Sequence, residues 1–447
     1  MSNTLIVTPG LSTWRHVTTL LRIVITKSSH KNIYITTHYG LCGGLDMSTG
    51  SNLGYWRRLR LQITAAVRYR IFLVLFRKYK VLHLSEYKTK DCAEQIDQFF
   101  KHLPRKISIN ELLKFEFRGI QFGRELLSSI QRNSFSNTLK EYSFVKASVE
   151  RDLLINALEL IYCYEQLFIR KEFESVFVNE VSYVNWGIPV KCAFKFNIEV
   201  HHTSYGYLGD QYYYIMRYQT NKDVYIPPGF EATNFDNPTT LKNSSIVNSV
   251  NTIGVWAHLC WDSAGVYGDQ LYQSYNEWLN AVYNVSLERK DMLWIFKIHP
   301  HEVSSENNPR KESTNQANNT LTYLLDLVKP DDYHIKIDFN AEVKWEDIDA
   351  FTTVTGTIRY EAAAQGKTVV LSERSGKMSG GFSFYSKSKD EYLNNLRKID
   401  NIFIGENEIN KAKKYRRNYY SKNRYINITY AQSKKDLINL IFNGYIR

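Results

Sequence analysis

Short apolar runs alternate with helical patterns in both halves of the chain, and this alternation restricts the fold more than any other feature. In the first half, residues 4–9 and 32–37 have the pattern of short buried strands, and a helical pattern lies between them. In the second half, strand-like runs recur between helical patterns at 252–257, 292–298, 333–338, 350–354, 368–371 and 401–404. Strands that alternate with helices predict βαβ units and parallel sheets.

The length of the chain predicts two domains, because 447 residues exceed one ordinary hydrophobic core. Residues 227–250 hold three prolines and little periodicity, which is typical of a linker. We therefore expect an amino-terminal Rossmann-like domain at 1–240, a second one at 241–430, and a carboxyl-terminal helix at 431–447 that can pack back on the first. Residues 109–172 have the pattern of long helices inserted in the first domain.

Composition excludes several classes of protein. A hydrophobic content of 43% and an aromatic content of 14% fill two cores and exclude a disordered chain. The cysteines are odd in number, far apart and never in C-x-x-C spacing, so they predict neither a disulfide framework nor a structural zinc site. No apolar run approaches 18 residues and no signal peptide pattern opens the chain, so we expect a cytoplasmic location. The five cysteines are Cys42, Cys92, Cys163, Cys192 and Cys260.

The formal net charge of +12 favours anionic partners. Residues 55–80 hold eight Arg or Lys and no acidic residue, and residues 411–424 hold seven. Each segment is consistent with a solvated helix face, an anionic membrane surface or a phosphate-bearing substrate. Nucleic acid is less favoured, because no RNA- or DNA-binding motif accompanies the charge.

Titratable residues collect where the strands of the second domain end. His258 and Asp262 follow the run at 252–257, while Lys297, His299 and Pro300 close the run at 292–298. Ligands of open parallel sheets bind outside the carboxyl ends of the strands, so two such sheets that face each other make one cleft. His299 could donate a hydrogen bond to a pyrophosphate there, although a histidine that caps a strand is an equally ordinary structural feature.

A third strand runs into Thr355, Gly356 and Thr357, which open a helix that carries Glu361. The glycine allows close approach of a ligand, and the first amides of the helix favour a phosphate. Because Glu361 is four residues after Thr357, it lies on the same face and could accept hydrogen bonds from sugar hydroxyls. Phosphate beside ribose indicates a nucleotide, whereas the structural alternative is a capping threonine and a solvent-facing glutamate.

The stretches "KIHPHE" and "VTGTIRYEAAAQGKTVVL" together resemble bacterial surface-polysaccharide glycosyltransferases of the GT-B type, the capsule polysaccharide biosynthesis proteins. That family has a strand ending in Lys-x-His-Pro, then a Gly-Thr-x-x-x-Glu-Ala turn and helix, then Gly-Lys-Pro-Val. Here Thr368 replaces the usual proline. The stretch "HLCWDSAGVYGDQLYQSYNEWL" is also similar, and the resemblance covers about residues 175 to 425.

The resemblance implies an α/β fold of the GT-B class, with two Rossmann-like α/β domains facing across a cleft. It implies transfer of a sugar from a nucleotide-sugar donor to a surface glycan or a lipid-linked acceptor, without a metal or another cofactor. The second domain would bind the donor and the first the acceptor. The donor-site residues would be His299, Pro300, Lys297, His258, Thr355, Gly356, Thr357 and Glu361. The basic segments would hold such an enzyme at the cytoplasmic face of the inner membrane.

Glycosyl transfer with inversion needs a general base near the acceptor hydroxyl. Asp262 is the first candidate, Glu180 the second and His202 the third, and each also has a structural interpretation. Three other functions stay open. A sugar-nucleotide epimerase shares the architecture but needs no acceptor, a polyol-phosphate transferase would differ in product mass, and a nucleic-acid-binding protein would bind oligonucleotides with steep salt dependence.

Overall fold

Two β-sheets with helices beside them organise the computed structural model of the chain. The model describes residues 3–8, 20–25, 32–38, 67, 70–134, 141–146, 148–205, 212–218, 237–238, 250–257, 271–272, 274–299, 320–338, 343–354, 356–374, 376, 379–419, 425–427 and 430–443. Two units result. The first comprises Met1–Asn133, Lys140–Val224 and Ser421–Arg447, and the second comprises Ser134–Leu139 and Tyr225–Tyr420.

The elements are numbered in chain order. The strands are β1 Asn3–Thr8, β2 Asn32–Thr37, β3 Lys80–His83, β4 Ile107–Ser108, β5 Glu116–Phe117, β6 Ile120–Gln121, β7 Glu141–Tyr142, β8 Ser175–Val178, β9 Glu199–Tyr205, β10 Tyr212–Tyr218, β11 Thr252–Trp256, β12 Leu293–Lys297, β13 Ile335–Asp338, β14 Ala350–Thr353, β15 Thr368–Leu371 and β16 Tyr425–Asn427. The helices are α1 20–25, α2 70–75, α3 Lys90–Lys101, α4 Ile109–Leu113, α5 Gly123–Ser134, α6 Val149–Arg170, α7 Val184–Lys195, α8 Tyr275–Glu288, α9 Thr320–Leu327, α10 Ile358–Ala363, α11 Lys389–Arg397, α12 Glu406–Tyr419 and α13 Tyr430–Asn443.

The sheet of the first unit has the strand order β16-β10-β9-β8-β1-β2-β3. Strands β3, β2, β1, β8 and β9 are parallel, whereas β10 and β16 are antiparallel additions at one edge. This is the Rossmann order 3-2-1-4-5, whose direction reverses between β1 and β8. One face of the sheet buries Ile6, Ile35 and Phe177 against α1 and α2.

The sheet of the second unit is fully parallel, with the order β13-β12-β11-β14-β15. It repeats the Rossmann order, and its direction reverses between β11 and β14. Side chains of successive residues point to opposite faces of a strand. Accordingly Trp294 and Phe296 of β12 join one core, while Ile295 joins the other. Both faces are therefore buried, as in a doubly wound sheet.

The predicted fold class, two Rossmann-like α/β domains, is confirmed by these two sheets. Two details differ from the expectation. Residues 402–404 follow a short 3-10 helix at Ile399–Asn401 without forming a strand, and the side chains of Ile402 and Ile404 instead complete the core of the second unit. Residues 109–172 are not continuous helix either, because the antiparallel pairs β4–β7 and β5–β6 interrupt them.

The carboxyl-terminal segment belongs to the first unit. β16 pairs with β10, and Arg22 Nε in α1 donates to Asp436 Oδ2 of α13 at 3.1 Å. The predicted linker at 227–250 lies almost wholly outside the described residues, and so does the polar segment at 304–319. None of the described helices is both long and apolar enough to span a membrane.

Candidate functional site

Three strands of the second unit end together at its topological switch point. Trp256 at the end of β11 lies opposite Lys297 of β12 on one side and Thr353 of β14 on the other. Thr353 Oγ1 also donates to Trp256 O at 2.8 Å, which holds β11 and β14 together at this edge. The crevice beyond such an edge is where open α/β sheets bind their ligands.

The predicted donor-site residues that the structure describes follow these strand ends directly. His299 is two residues beyond Lys297, and Gly356 is three residues beyond Thr353. β12 and β14 flank β11, so their ends are two strand spacings apart, about 10 Å. The structure therefore places His299, Gly356 and Thr357 at one edge of one sheet. Pro300, Thr355, His258 and Asp262 lie outside the described residues.

The turn after β14 leads into α10, a helix of only six residues. Thr357 Oγ1 lies 3.5 Å from Glu361 Oε2, so the two side chains share one face of the helix. The amides of Tyr360 and Glu361 already donate to Thr357 O at 3.1 and 3.2 Å. A helix this short carries a small dipole, so the dipole of α10 would add little to the attraction of an anion.

Lys297 does not bring an unbalanced positive charge to the edge. Its Nζ donates to Asp338 Oδ2 at 2.7 Å, and Asp338 is 2% exposed at the end of β13. The ammonium also lies 5.2 Å from the ring centre of Trp256. Asp338 thus orients Lys297 and neutralises it, and the sequence analysis did not anticipate this partner. The role of Lys297 in donor binding stays a prediction.

The Gly-Lys motif and an Asp-x-Asp sequence lie at the opposite, amino-terminal edge of this sheet. Lys367, in the Gly-Lys motif before β15, donates to the backbone oxygens of Trp345, Glu346 and Ile348, and burial lowers its pKa. Asp349, which completes an Asp-x-Asp sequence, accepts hydrogen bonds at 2.9 Å from the amides of Asn251 and Thr252. Both side chains therefore tie loops to strand starts, and neither faces the switch point.

Glu180 lies in the loop between β8 and α7, at the switch point of the first unit. Its Oε1 accepts three hydrogen bonds, from Val181 N at 2.7 Å, Ser182 N at 3.1 Å and Ser182 Oγ at 2.7 Å. Its Oε2 makes no hydrogen bond to a described residue. One carboxylate oxygen is thus anchored and the other is available, which is the geometry of a positioned base.

His202 of β9 lies beside Glu180, as its pKa reflects. Burial lowers the pKa of His202, while the charge of Glu180 and a hydrogen bond with the Asn179 backbone oppose the shift. His202 is 5% exposed, so its side chain is almost wholly buried. The structure brings these two predicted catalytic residues together, and their catalytic roles stay predictions.

His38 follows β2 at the same edge and was not predicted. Its Nε2 lies 2.9 Å from Tyr164 Oη, which in turn lies 3.1 Å from Thr36 Oγ1. The ring is fully buried, so burial lowers the pKa of His38 to about 3, against the opposing effect of the nearby Asn185 side chain. His38 is therefore a neutral imidazole at physiological pH.

The sequence reasoning also missed Arg359 of α10. The only signal for it was a basic residue inside the "TGTIRYE" motif, and the pattern of apolar residues does not show where its side chain points. Its Nη1 donates to Gly356 O at 3.1 Å, so the guanidinium lies against the Thr-Gly-Thr turn.

The chain is similar to several solved structures, at low sequence identity and with low TM-scores. A UDP-N-acetylglucosamine 2-epimerase from Neisseria meningitidis, bound to UDP-N-acetylglucosamine, is 9% identical, with a TM-score of 0.25 and coverage of 93% of this chain and 99% of that chain. The spinosyn rhamnosyltransferase SpnG is 9% identical, with a TM-score of 0.29 and coverage of 94% and 97%. The β-Kdo 2,4-transferase KpsC from Thermosulfurimonas dismutans is 12% identical, with a TM-score of 0.31 and coverage of 60% and 87%.

No family model matches the sequence. No curated protein matches it either. Similarity at the level of the solved structures identifies no activity for this chain.

Proposed function

We propose that the protein is a glycosyltransferase that moves a sugar from a nucleotide-sugar donor to a surface polysaccharide or a lipid-linked glycan, without a metal. One observation carries the proposal. Gly356 and Thr357, with Glu361 on the face of Thr357, lie at the switch point of a Rossmann-order sheet and share that edge with His299. The Lys-x-His-Pro and Gly-Thr-x-x-x-Glu motifs support the same assignment through their resemblance to GT-B enzymes.

In this proposal the second unit binds the nucleotide. The Glu361 carboxylate accepts hydrogen bonds from the ribose hydroxyls, and His299 donates to the phosphate that leaves with the nucleotide. A donor placed near the departing oxygen stabilises the charge that develops as the glycosidic bond breaks. Lys297 and Asp338 shape the edge as a neutral pair.

The first unit supplies the acceptor side. Glu180 accepts the proton of the acceptor hydroxyl through Oε2 while its Oε1 remains held by the Ser182 loop. Because burial keeps the neighbouring His202 neutral, the imidazole adds no positive charge that would weaken Glu180 as a base. Asp262 remains the competing candidate for the base.

Nucleotide binding tests the donor site directly. A thermal-shift screen of UDP-, CMP-, GDP- and dTDP-sugars should find at least one that raises the melting temperature, because a ligand that binds only the native state stabilises it. Glu361→Gln should weaken that ligand by about 10- to 100-fold, since a hydrogen bond to a charged group contributes about 1.5–3 kcal/mol. Calorimetric titration measures the affinity.

Glu288→Gln is the matched control, because Glu288 ends α8 on the surface, paired with Arg397. It should bind the nucleotide sugar as the wild type does. Equal affinity of the wild type and Glu361→Gln would contradict the donor site. Conversion of the donor without an acceptor would instead identify an epimerase, and a product that gains a polyol phosphate would identify the phosphotransferase.

We also propose that the segment that contains Val67 and α2 contacts an anionic membrane surface. Val67, Ile71 and Val74 recur at helical spacing with exposed fractions of 54%, 53% and 61%. Single exposed apolar residues are ordinary, but three on one helical face, in a stretch with eight cations and no acid, match an interfacial helix. The opposite face of the segment packs Phe72 and Phe76 into the core.

Flotation with vesicles tests this contact. The wild type should float with vesicles that contain anionic lipid and not with purely zwitterionic vesicles, and added salt should reduce binding. Replacing Val67, Ile71 and Val74 by serine should abolish flotation, whereas serine at Val145 and Ile169, which are equally exposed, should not. Unchanged flotation of the triple variant would refute the contact. If the wild type is a dimer and the triple variant is a monomer, the three apolar side chains serve self-association instead.

A further inference from the structure

Arg359 is a cation almost wholly inside the protein. It is 5% exposed, and among the residues that the structure describes only its Nη1 donates a hydrogen bond, to Gly356 O at 3.1 Å. Its Nε is buried and makes no hydrogen bond to any of those residues. The guanidinium carbon lies 5.6 Å from the ring centre of Tyr360, which is a weak contact. Most of the hydrogen-bonding capacity of Arg359 is therefore unused.

Arg359 also lacks a counter-ion within the part of the chain that the structure describes. The side chain of Glu361 is directed to Thr357, and the fully buried Glu373, which follows β15, forms no ion pair with Arg359. A guanidinium stays protonated at any physiological pH. Buried charges in proteins are almost always paired, because an unpaired charge loses its hydration without compensation. An anion from outside the chain would supply the missing partner.

A second unused polar group lies next to this turn. Ser372 is fully buried directly after β15, and its Oγ makes no hydrogen bond within the described part of the chain. Its amide donates to Thr353 O at 3.0 Å, so Ser372 is held at the end of β14, from which the Thr-Gly-Thr turn departs. The loop beyond it is tied to α10 by Ser383 Oγ, which donates to Arg359 O at 3.2 Å.

We infer that the Arg359 guanidinium and the Ser372 hydroxyl bind the diphosphate group of a nucleotide ligand. The planar guanidinium fits phosphate oxygens with two parallel hydrogen bonds, and the hydroxyl donates a third. The assignment of the anion as a nucleotide diphosphate rests on the proposed function, because the site adjoins the predicted nucleotide edge. A buried charge without a partner destabilises the protein when no ligand is bound. Replacing Arg359 by an apolar residue should therefore stabilise the protein, whereas replacing an arginine with a purely structural role would destabilise it.

The test compares wild type and Arg359→Met by thermal unfolding, with and without inorganic pyrophosphate. Without ligand, Arg359→Met should melt about 2–4 °C higher than the wild type, since an apolar side chain of similar length removes an uncompensated buried charge. Pyrophosphate should raise the melting temperature of the wild type and leave that of Arg359→Met unchanged. Ser372→Ala should retain a reduced shift.

Arg397→Met is the matched control, because Arg397 pairs with Glu288 on the surface of the same unit. It should keep the full pyrophosphate shift. The inference is overturned if Arg359→Met melts lower and retains the shift, which would make Arg359 a structural tie to Gly356. It is equally overturned if neither pyrophosphate nor any nucleoside diphosphate shifts the wild type.

Different results would contradict the Arg359 anion site and the proposed transferase function. If pyrophosphate binds through Arg359 but no nucleotide sugar binds, the anion site stands and the transferase assignment fails. If a nucleotide sugar binds equally well to the wild type and to Arg359→Met, the donor site stands and the role of Arg359 fails.

Discussion

Glu180→Gln should lower the rate of sugar transfer by about 10²- to 10⁴-fold, the usual contribution of a general base. Glutamine keeps the shape of the side chain, and its carbonyl oxygen still accepts from the Val181 and Ser182 amides. The variant loses only the ability to take a proton. We therefore expect the binding of the nucleotide sugar to remain unchanged while kcat falls. Single-turnover measurement with a saturating donor separates the two effects.

Glu172→Gln is the control for this experiment, because Glu172 is exposed before β8 and its contact to Asn3 uses the backbone oxygen. It should transfer sugar at the wild-type rate. A Glu180→Gln enzyme with full kcat would remove Glu180 as the base. In that case an Asp262→Asn enzyme that binds the donor normally but no longer transfers sugar would identify Asp262 as the base.

Acidification from pH 7.5 to 4.5 should lower the free energy of unfolding of the first unit by about 3 kcal/mol through His38 alone. Burial lowers the pKa of His38 to about 3, whereas the unfolded chain titrates near 6.5. Between these values the unfolded state binds a proton that the native state does not. The stabilisation is therefore complete above pH 6.5 and declines as the pH falls toward 3.

Urea unfolding at several pH values measures this effect. His202 also has a lowered pKa and adds to the same trend, so the His38 contribution is the difference between the wild type and His38→Gln. That difference should grow steadily below pH 6.5. An identical pH dependence for His38→Gln would show that His38 titrates normally in the native protein.

The strands of the second unit follow closely from the sequence. In the run "LWIFK", Trp294, Ile295 and Phe296 are buried on the two faces of the sheet, as a short apolar run between turn residues predicts for a parallel strand. The Thr-Gly-Thr turn and the spacing of Thr357 to Glu361 are equally local, and the side chains lie on one face as four-residue spacing requires.

Other features depended on contacts between distant residues. β10 and β16 are 207 or more positions apart in the chain yet pair with each other through Tyr213 and Ile426, which no local pattern shows. Residues 401–404 have the apolar pattern of a strand, but Ile402 and Ile404 are buried in the core without a strand partner. The sequence predicted Lys297 as a donor-site residue, and only the structure showed that it pairs with Asp338.

The amino-acid sequence by itself determined the parallel strands of both sheets and the strand ends at which polar residues collect, because strand periodicity and turn residues act over a few positions. Only the tertiary structure showed that Arg359 is buried without a counter-ion, that burial keeps His38 neutral, and that Glu180 has one anchored oxygen. Burial and electrostatic environment are sums over side chains from many elements. They exist only once the chain has folded around each group.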